Sequence, residues 1–83
     1  MKPDLTFSSH ALDVMREREL PGEWIERTIE SPDSVKPGSD GNMHYVKAIP
    51  EHSGRMLRVV INENVQPNRV VTVFFDRRLG RKI

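Results

Sequence analysis

The chain has 83 residues, with 13 lysines and arginines, 12 aspartates and glutamates, and no cysteine. This length allows one domain with one core, and the absence of cysteine excludes disulfides and thiolate metal sites. The net charge of +1 excludes a strongly basic protein. No apolar stretch approaches the roughly 20 residues of a membrane helix, and the first residues lack a signal peptide's apolar run, so we expect one cytoplasmic domain over residues 1–83 that does not contact membranes.

A first helix is predicted from about residue 8 to residue 18, with Ser8 or Ser9 as its N-cap. Its apolar stripe contains Ala11, Val14 and Met15, with His10 at the edge and Arg18 in the middle. A guanidinium is costly to bury, so Arg18 is expected either to meet a carboxylate, a carbonyl or a bound anion, or to extend past the helix end into water.

A second helix is predicted after the Leu20-Pro21-Gly22 break, with Pro21 in its first turn and Ser31-Pro32 at its end. Its buried side is predicted to contain Trp24, Ile25, Thr28 and Ile29.

Strands are predicted over residues 43–49, 55–62 and 69–76, with a possible short edge strand over 33–36, because these segments are rich in Val, Ile, Phe and Thr. Short loops join the three main strands, so their pairing is expected to be antiparallel. The predicted class is α+β: two N-terminal helices, then a three- to four-stranded antiparallel β-meander, with a basic tail from about residue 77.

The faces of this sheet follow from alternation if Ile49 pairs with Arg55 and Arg58 pairs with Thr72. One face is then almost wholly apolar and should carry the helices. The other face brings together His44, Arg58 and Thr72. A histidine beside an arginine and a hydroxyl can bind a phosphate and transfer a proton near neutral pH, but the same residues also suit an ordinary half-exposed sheet face.

The second half of the chain is richer in arginine, including Arg55, Arg77 and Arg78. This distribution suits either a surface that binds a phosphate backbone or a solubilising strand and tail. Three histidines without cysteine or a spaced carboxylate make a zinc site improbable, and no cofactor is expected.

Several short segments occur in a characteristic order along the chain: His10-Ala11-Leu12-Asp13-Val14-Met15-Arg16-Glu17-Arg18, then Trp24-Ile25 and Pro32, then His44-Tyr45-Val46-Lys47, Leu57-Arg58-Val59-Val60 and Val71-Thr72-Val73. This ordered set resembles the domain of unknown function 4258 family, DUF4258. The resemblance covers about residues 10–77. It implies polar positions at His10, Arg18, His44, Lys47, Arg58 and Thr72, all present here. The order of elements is distantly similar to that of metal-independent ribonuclease toxins of the RelE and colicin type.

Three functions remain open. In the first, the protein cleaves RNA without metal: His44 or His10 acts as general acid or base, Arg58 and Lys47 stabilise the phosphate, and Thr72 orients it. Flanking phosphates would then contact Arg18, Arg55, Arg77 and Arg78. The second function is a non-catalytic module that binds a protein or a nucleic acid. The third is structural, with the polar set joining helix to sheet; His10 and Arg18 can join His44 only if the helices cover the mixed face.

Overall fold

The fold was obtained as a computed structural model that describes residues 5–79. Its helices and strands follow one another along the chain as β1 (Leu5–Phe7), α1 (Ser9–Glu17), α2 (Gly22–Glu30), β2 (Ser34–Pro37), β3 (Met43–Ile49), β4 (Arg55–Asn62) and β5 (Asn68–Phe75). Short 3-10 helices follow β3 and β5, at Pro50–His52 and Arg77–Leu79. The α+β class is therefore confirmed. Of the predicted basic tail, residues 80–83 lie outside the described residues.

The strands form one five-stranded sheet in the order β1-β5-β4-β3-β2. β1 runs parallel to β5, whereas the other neighbours are antiparallel. The predicted meander is thus incomplete: the sheet is mixed, and its first strand precedes the helices. The sequence did not predict β1, because three residues are too few to show alternation and because its partner strand lies near the other end of the chain.

β1 pairs only with residues 68–70 of β5. Within residues 5–79, the remainder of β5 therefore has no strand beside it on that edge. Helix α1 lies along this side of the sheet. Its N-cap is Ser8, as predicted: the Ser8 Oγ accepts a hydrogen bond from the Ala11 N–H at 3.0 Å and donates one to the Val71 carbonyl at 2.7 Å. This hydroxyl fixes the start of α1 against β5. In α2, by contrast, Pro21 is the N-cap residue rather than part of the first turn.

The register was predicted correctly in one hairpin and wrongly in the other. Ile49 lies opposite Arg55, as expected. Arg58, however, pairs with Phe74 rather than with Thr72, which pairs with Val60. A bulge at Val71, just before Thr72, places Ile61 opposite Val70 and reverses the alternation in the first part of β5.

The core lies between the two helices and the apolar face of the sheet, as predicted. Ile25, Leu57, Val59 and Val73 are buried, and Val14, Met15, Trp24 and Ile29 pack half-buried around them. Because of the bulge, Val70 is buried in the core, whereas Val71, which was predicted there, is only half-buried. The mixed face, with His44 and Arg58, is therefore on the side of the sheet opposite the helices.

Candidate functional site

The polar residues predicted to form a single site occupy separate places in the fold. His44 and Arg58 lie on the open face of the sheet. Lys47 is on the helix-covered face, where its Nζ donates a hydrogen bond to the Ser31 carbonyl at the end of α2, at 2.7 Å. Thr72 is separated from His44 by Val60, the cross-strand neighbour of both. Thr72 instead lines a groove that also includes His10 and Arg18.

On the open face, His44 of β3 and Arg58 of β4 belong to a chain of hydrogen bonds that ends at Asp76, directly after β5. The Arg58 Nη1 lies 3.1 Å from the His44 Nδ1. A guanidinium can only donate, so Nδ1 is the acceptor, and the proton of the neutral imidazole is assigned to Nε2. This nitrogen lies 3.2 Å from both carboxylate oxygens of Asp40. A β-carbon at Gly38 would collide with the His44 Nε2, so the loop before β3 closes directly over the ring.

Asp76 holds the other end of this chain. It is only 4% exposed, and its Oδ2 accepts hydrogen bonds from the Arg58 Nε at 2.9 Å and the Arg78 Nη2 at 3.1 Å. Hydrogen bonds from Arg78, and then from Arg58, lower the pKa of Asp76 to about 2, against the opposing effect of burial. We call Asp40, His44, Arg58, Asp76 and Arg78 the cross-strand cluster. Its members satisfy one another, which is typical of a structural role.

The groove lies along the edge of the sheet, between α1, the 3-10 helix Pro50–His52 and the second half of β5. It has a volume of about 960 Å³. Thr72 lies in its wall, and among the described residues Glu17 is its only acidic side chain. We call it the basic groove, because its lining includes the side chains of His10, Arg18, His52, Arg55 and Arg77. An excess of positive charge in a concave surface attracts anions.

Within the described part of the chain, the three arginines of the basic groove lack the acidic partners that Arg27, Arg58 and Arg78 have. Arg27 is held by Glu23 and Glu51, and Arg58 and Arg78 are held by Asp76. By contrast, the side chains of Arg18, Arg55 and Arg77 form no hydrogen bond or ion pair with another residue of 5–79. Arg18 and Arg77 are exposed, and Arg55 is half-buried. Three guanidinium groups are thus available to an anionic ligand.

His52 is the residue of the groove that the sequence analysis left out. Its ring stacks on Phe75, with the ring centroids 4.2 Å apart and the planes 19° from parallel. Trp24 packs edge-on against Phe75 at 6.2 Å. His52 nevertheless remains exposed. Its position in a hairpin loop gave little indication of this contact, because it depends on where β5 ends.

Within residues 5–79, no three His, Asp or Glu side chains are grouped closely enough to hold a metal ion. In the same part of the chain, neither helix has the length and apolar character needed to span a membrane.

The family profile of DUF4258, a domain of unknown function, matches residues 7–75. The chain therefore belongs to this family, as the sequence resemblance indicated. No curated protein and no solved structure matches the chain significantly. The likeness to RelE and colicin-type nucleases accordingly stays a prediction.

Proposed function

We propose that this member of the DUF4258 family binds RNA through its phosphates in the basic groove and cleaves it without a metal ion. The observation that carries the proposal is the convergence of Arg18, Arg55 and Arg77, all without carboxylate partners among the described residues, in a groove that also contains His10 and His52. Unpaired guanidinium groups are well suited to phosphates, which they contact with two parallel hydrogen bonds.

Cleavage would use the two histidines as acid and base. The 2′-oxygen attacks the adjacent phosphorus while one imidazole accepts its proton. The bond from phosphorus to the 5′-oxygen breaks, and the other imidazole donates a proton to that leaving oxygen. The products are a 2′,3′-cyclic phosphate and a 5′-hydroxyl. The neighbouring guanidinium groups stabilise the negative charge that develops on the phosphate oxygens.

The test of catalysis uses purified protein, single-stranded RNA and a chelator. We expect cleavage to persist in the chelator and to fall roughly 100- to 10,000-fold in His10→Ala and in His52→Ala, the usual range for one acid–base group. Single-stranded DNA should bind but stay intact, because it lacks the 2′-hydroxyl. His44→Ala is the matched variant for the open face: if it loses activity while folded and the groove variants do not, the active site lies at His44. Absence of cleavage in the unaltered protein would refute catalysis.

The test of binding uses the dependence of affinity on salt. If three phosphates contact Arg18, Arg55 and Arg77, the logarithm of the binding constant should fall with the logarithm of salt concentration with a slope of about −2. Arg77→Gln should flatten that slope by about 0.7. Arg78→Gln is the control, because this neighbouring arginine is already paired with Asp76. Equal effects of the two variants, or binding without salt dependence, would contradict the proposal.

A further inference from the structure

The basic groove is lined by the rings of His52, Phe74 and Phe75, which have no part in the proposed binding of phosphates. His52 lies flat on Phe75, and Trp24 packs against the same pair at centroid distances of 6.0 and 6.2 Å. Phe74, the next residue of β5, also lines the groove and is 38% exposed. Flat rings therefore stand in the same concave surface as the unpaired arginines.

We propose that His52, supported from below by Phe75, is a stacking platform for a nucleobase, so that the groove selects single-stranded over double-stranded nucleic acid. This inference rests on the proposed function and specifies its substrate class. Sequence-tolerant binding of single strands combines a positively charged groove with aromatic rings on which bases stack. The bases of a duplex are stacked on one another and cannot offer a free face.

The construction of the platform supports this assignment. His52 lies in a hairpin loop and is exposed to solvent, yet one face of its ring stacks on Phe75. Phe75 is in turn held by Trp24, which packs against the core. The ring of His52 is thus held in a fixed plane at the groove wall, which reduces the entropy lost when a base stacks on it. The volume of about 960 Å³ leaves room for a base beside the phosphates.

The experiment measures the affinity of the full chain for uncleavable probes, so that binding is separated from catalysis. The probes are a 2′-O-methyl oligouridylate, a duplex with the same number of phosphates, and the same single strand carrying abasic sites. We expect the single strand to bind roughly 5- to 150-fold more tightly than the abasic strand, the range for one stacked base. The duplex should bind no better than the abasic strand.

Two substitutions at one position separate stacking from proton transfer. His52→Phe keeps a flat ring and should retain the preference for the single strand, although it cannot move a proton. His52→Ala removes the ring and should bind all three probes alike, with the salt slope unchanged. If His52→Ala keeps the full preference while the slope still depends on Arg77, the platform is refuted and phosphate binding stands. If no probe binds the unaltered protein, both proposals fail.

Discussion

The arginines of this protein differ in their neighbours, and this difference indicates different roles. Arg58 is held between His44 and Asp76, where it satisfies a nearly buried carboxylate. Arg77, one residue after Asp76, has no carboxylate partner among the described residues and lines the basic groove. From this contrast we propose that Arg58 stabilises the fold and that Arg77 takes part in binding.

Replacing Arg58 should therefore destabilise the fold more than replacing Arg78. Arg58→Ala leaves Asp76 without its inner partner and should lower the free energy of unfolding by roughly 1.5–3 kcal/mol, as for a lost hydrogen bond to a charged group. Arg78 has the larger effect on the pKa of Asp76, but its side chain is 81% exposed, so water can replace it. For Arg78→Ala we expect a clearly smaller loss, because exposed ion pairs contribute little to stability. Urea denaturation at neutral pH measures both values, and the reverse order would contradict this assignment.

At the scale of helices and strands, the sequence predicted the features that depend on residues close together in the chain, such as strand ends and the register of a hairpin with a short loop. Alternation and short loops gave β3 and β4 with their observed ends and the correct register between them. The bulge in β5 and the parallel strand β1 were missed, because neither leaves a periodic signal in the sequence. The predicted register between β3 and β4 correctly placed His44 near Arg58. The sequence could not show that Thr72, Arg55 and Arg77 line the same groove as His10, because no local pattern connects these residues.

The Ser8 hydroxyl contributes to the junction of α1 with β5, so Ser8→Ala should loosen this junction. The substitution removes the N-cap of α1 and the hydrogen bond to the Val71 carbonyl, and we expect a loss of roughly 0.5–2 kcal/mol. Ser9→Ala is the matched control, because Ser9 is exposed and its side chain has no hydrogen bond with another residue of 5–79. Thermal unfolding compares the two variants. Equal losses would show that the cap does not hold the junction.

At the scale of the whole molecule, the two faces of the sheet are stabilised in different ways. The helices cover one face and form the core with it. The cross-strand cluster lies on the other face. Val46, the neighbour of Arg58 on β3, and Val60, the neighbour of His44 on β4, are buried there as well. The basic groove lies beside α1, along the part of β5 that β1 does not reach. If the basic groove binds RNA as proposed, substitutions in it should change binding without disturbing the cross-strand cluster.

The cross-strand cluster should make the stability of the whole domain sensitive to acid. Folding lowers the pKa of Asp76 from 3.8 to about 2, so the unfolded chain binds its proton more readily than the folded chain. The stabilisation is thus complete above about pH 4 and is lost as the pH falls towards 2, for a total of about 2 kcal/mol. The pKa of Glu51 is also lowered to about 2, chiefly by its hydrogen bonds from Arg27, and acts in the same direction.

Salt separates the two contributions, because Glu51 is exposed whereas Asp76 is almost fully buried. High salt screens exposed pairs more strongly than buried ones. We therefore expect the unaltered protein to lose stability between pH 5 and pH 3 even in 1 M salt. In the same salt, this loss should be smaller in Asp76→Asn and nearly unchanged in Glu51→Gln. Denaturation curves at several pH values measure the three proteins. An Asp76→Asn variant with the same acid sensitivity as the unaltered protein would exclude Asp76 as the source.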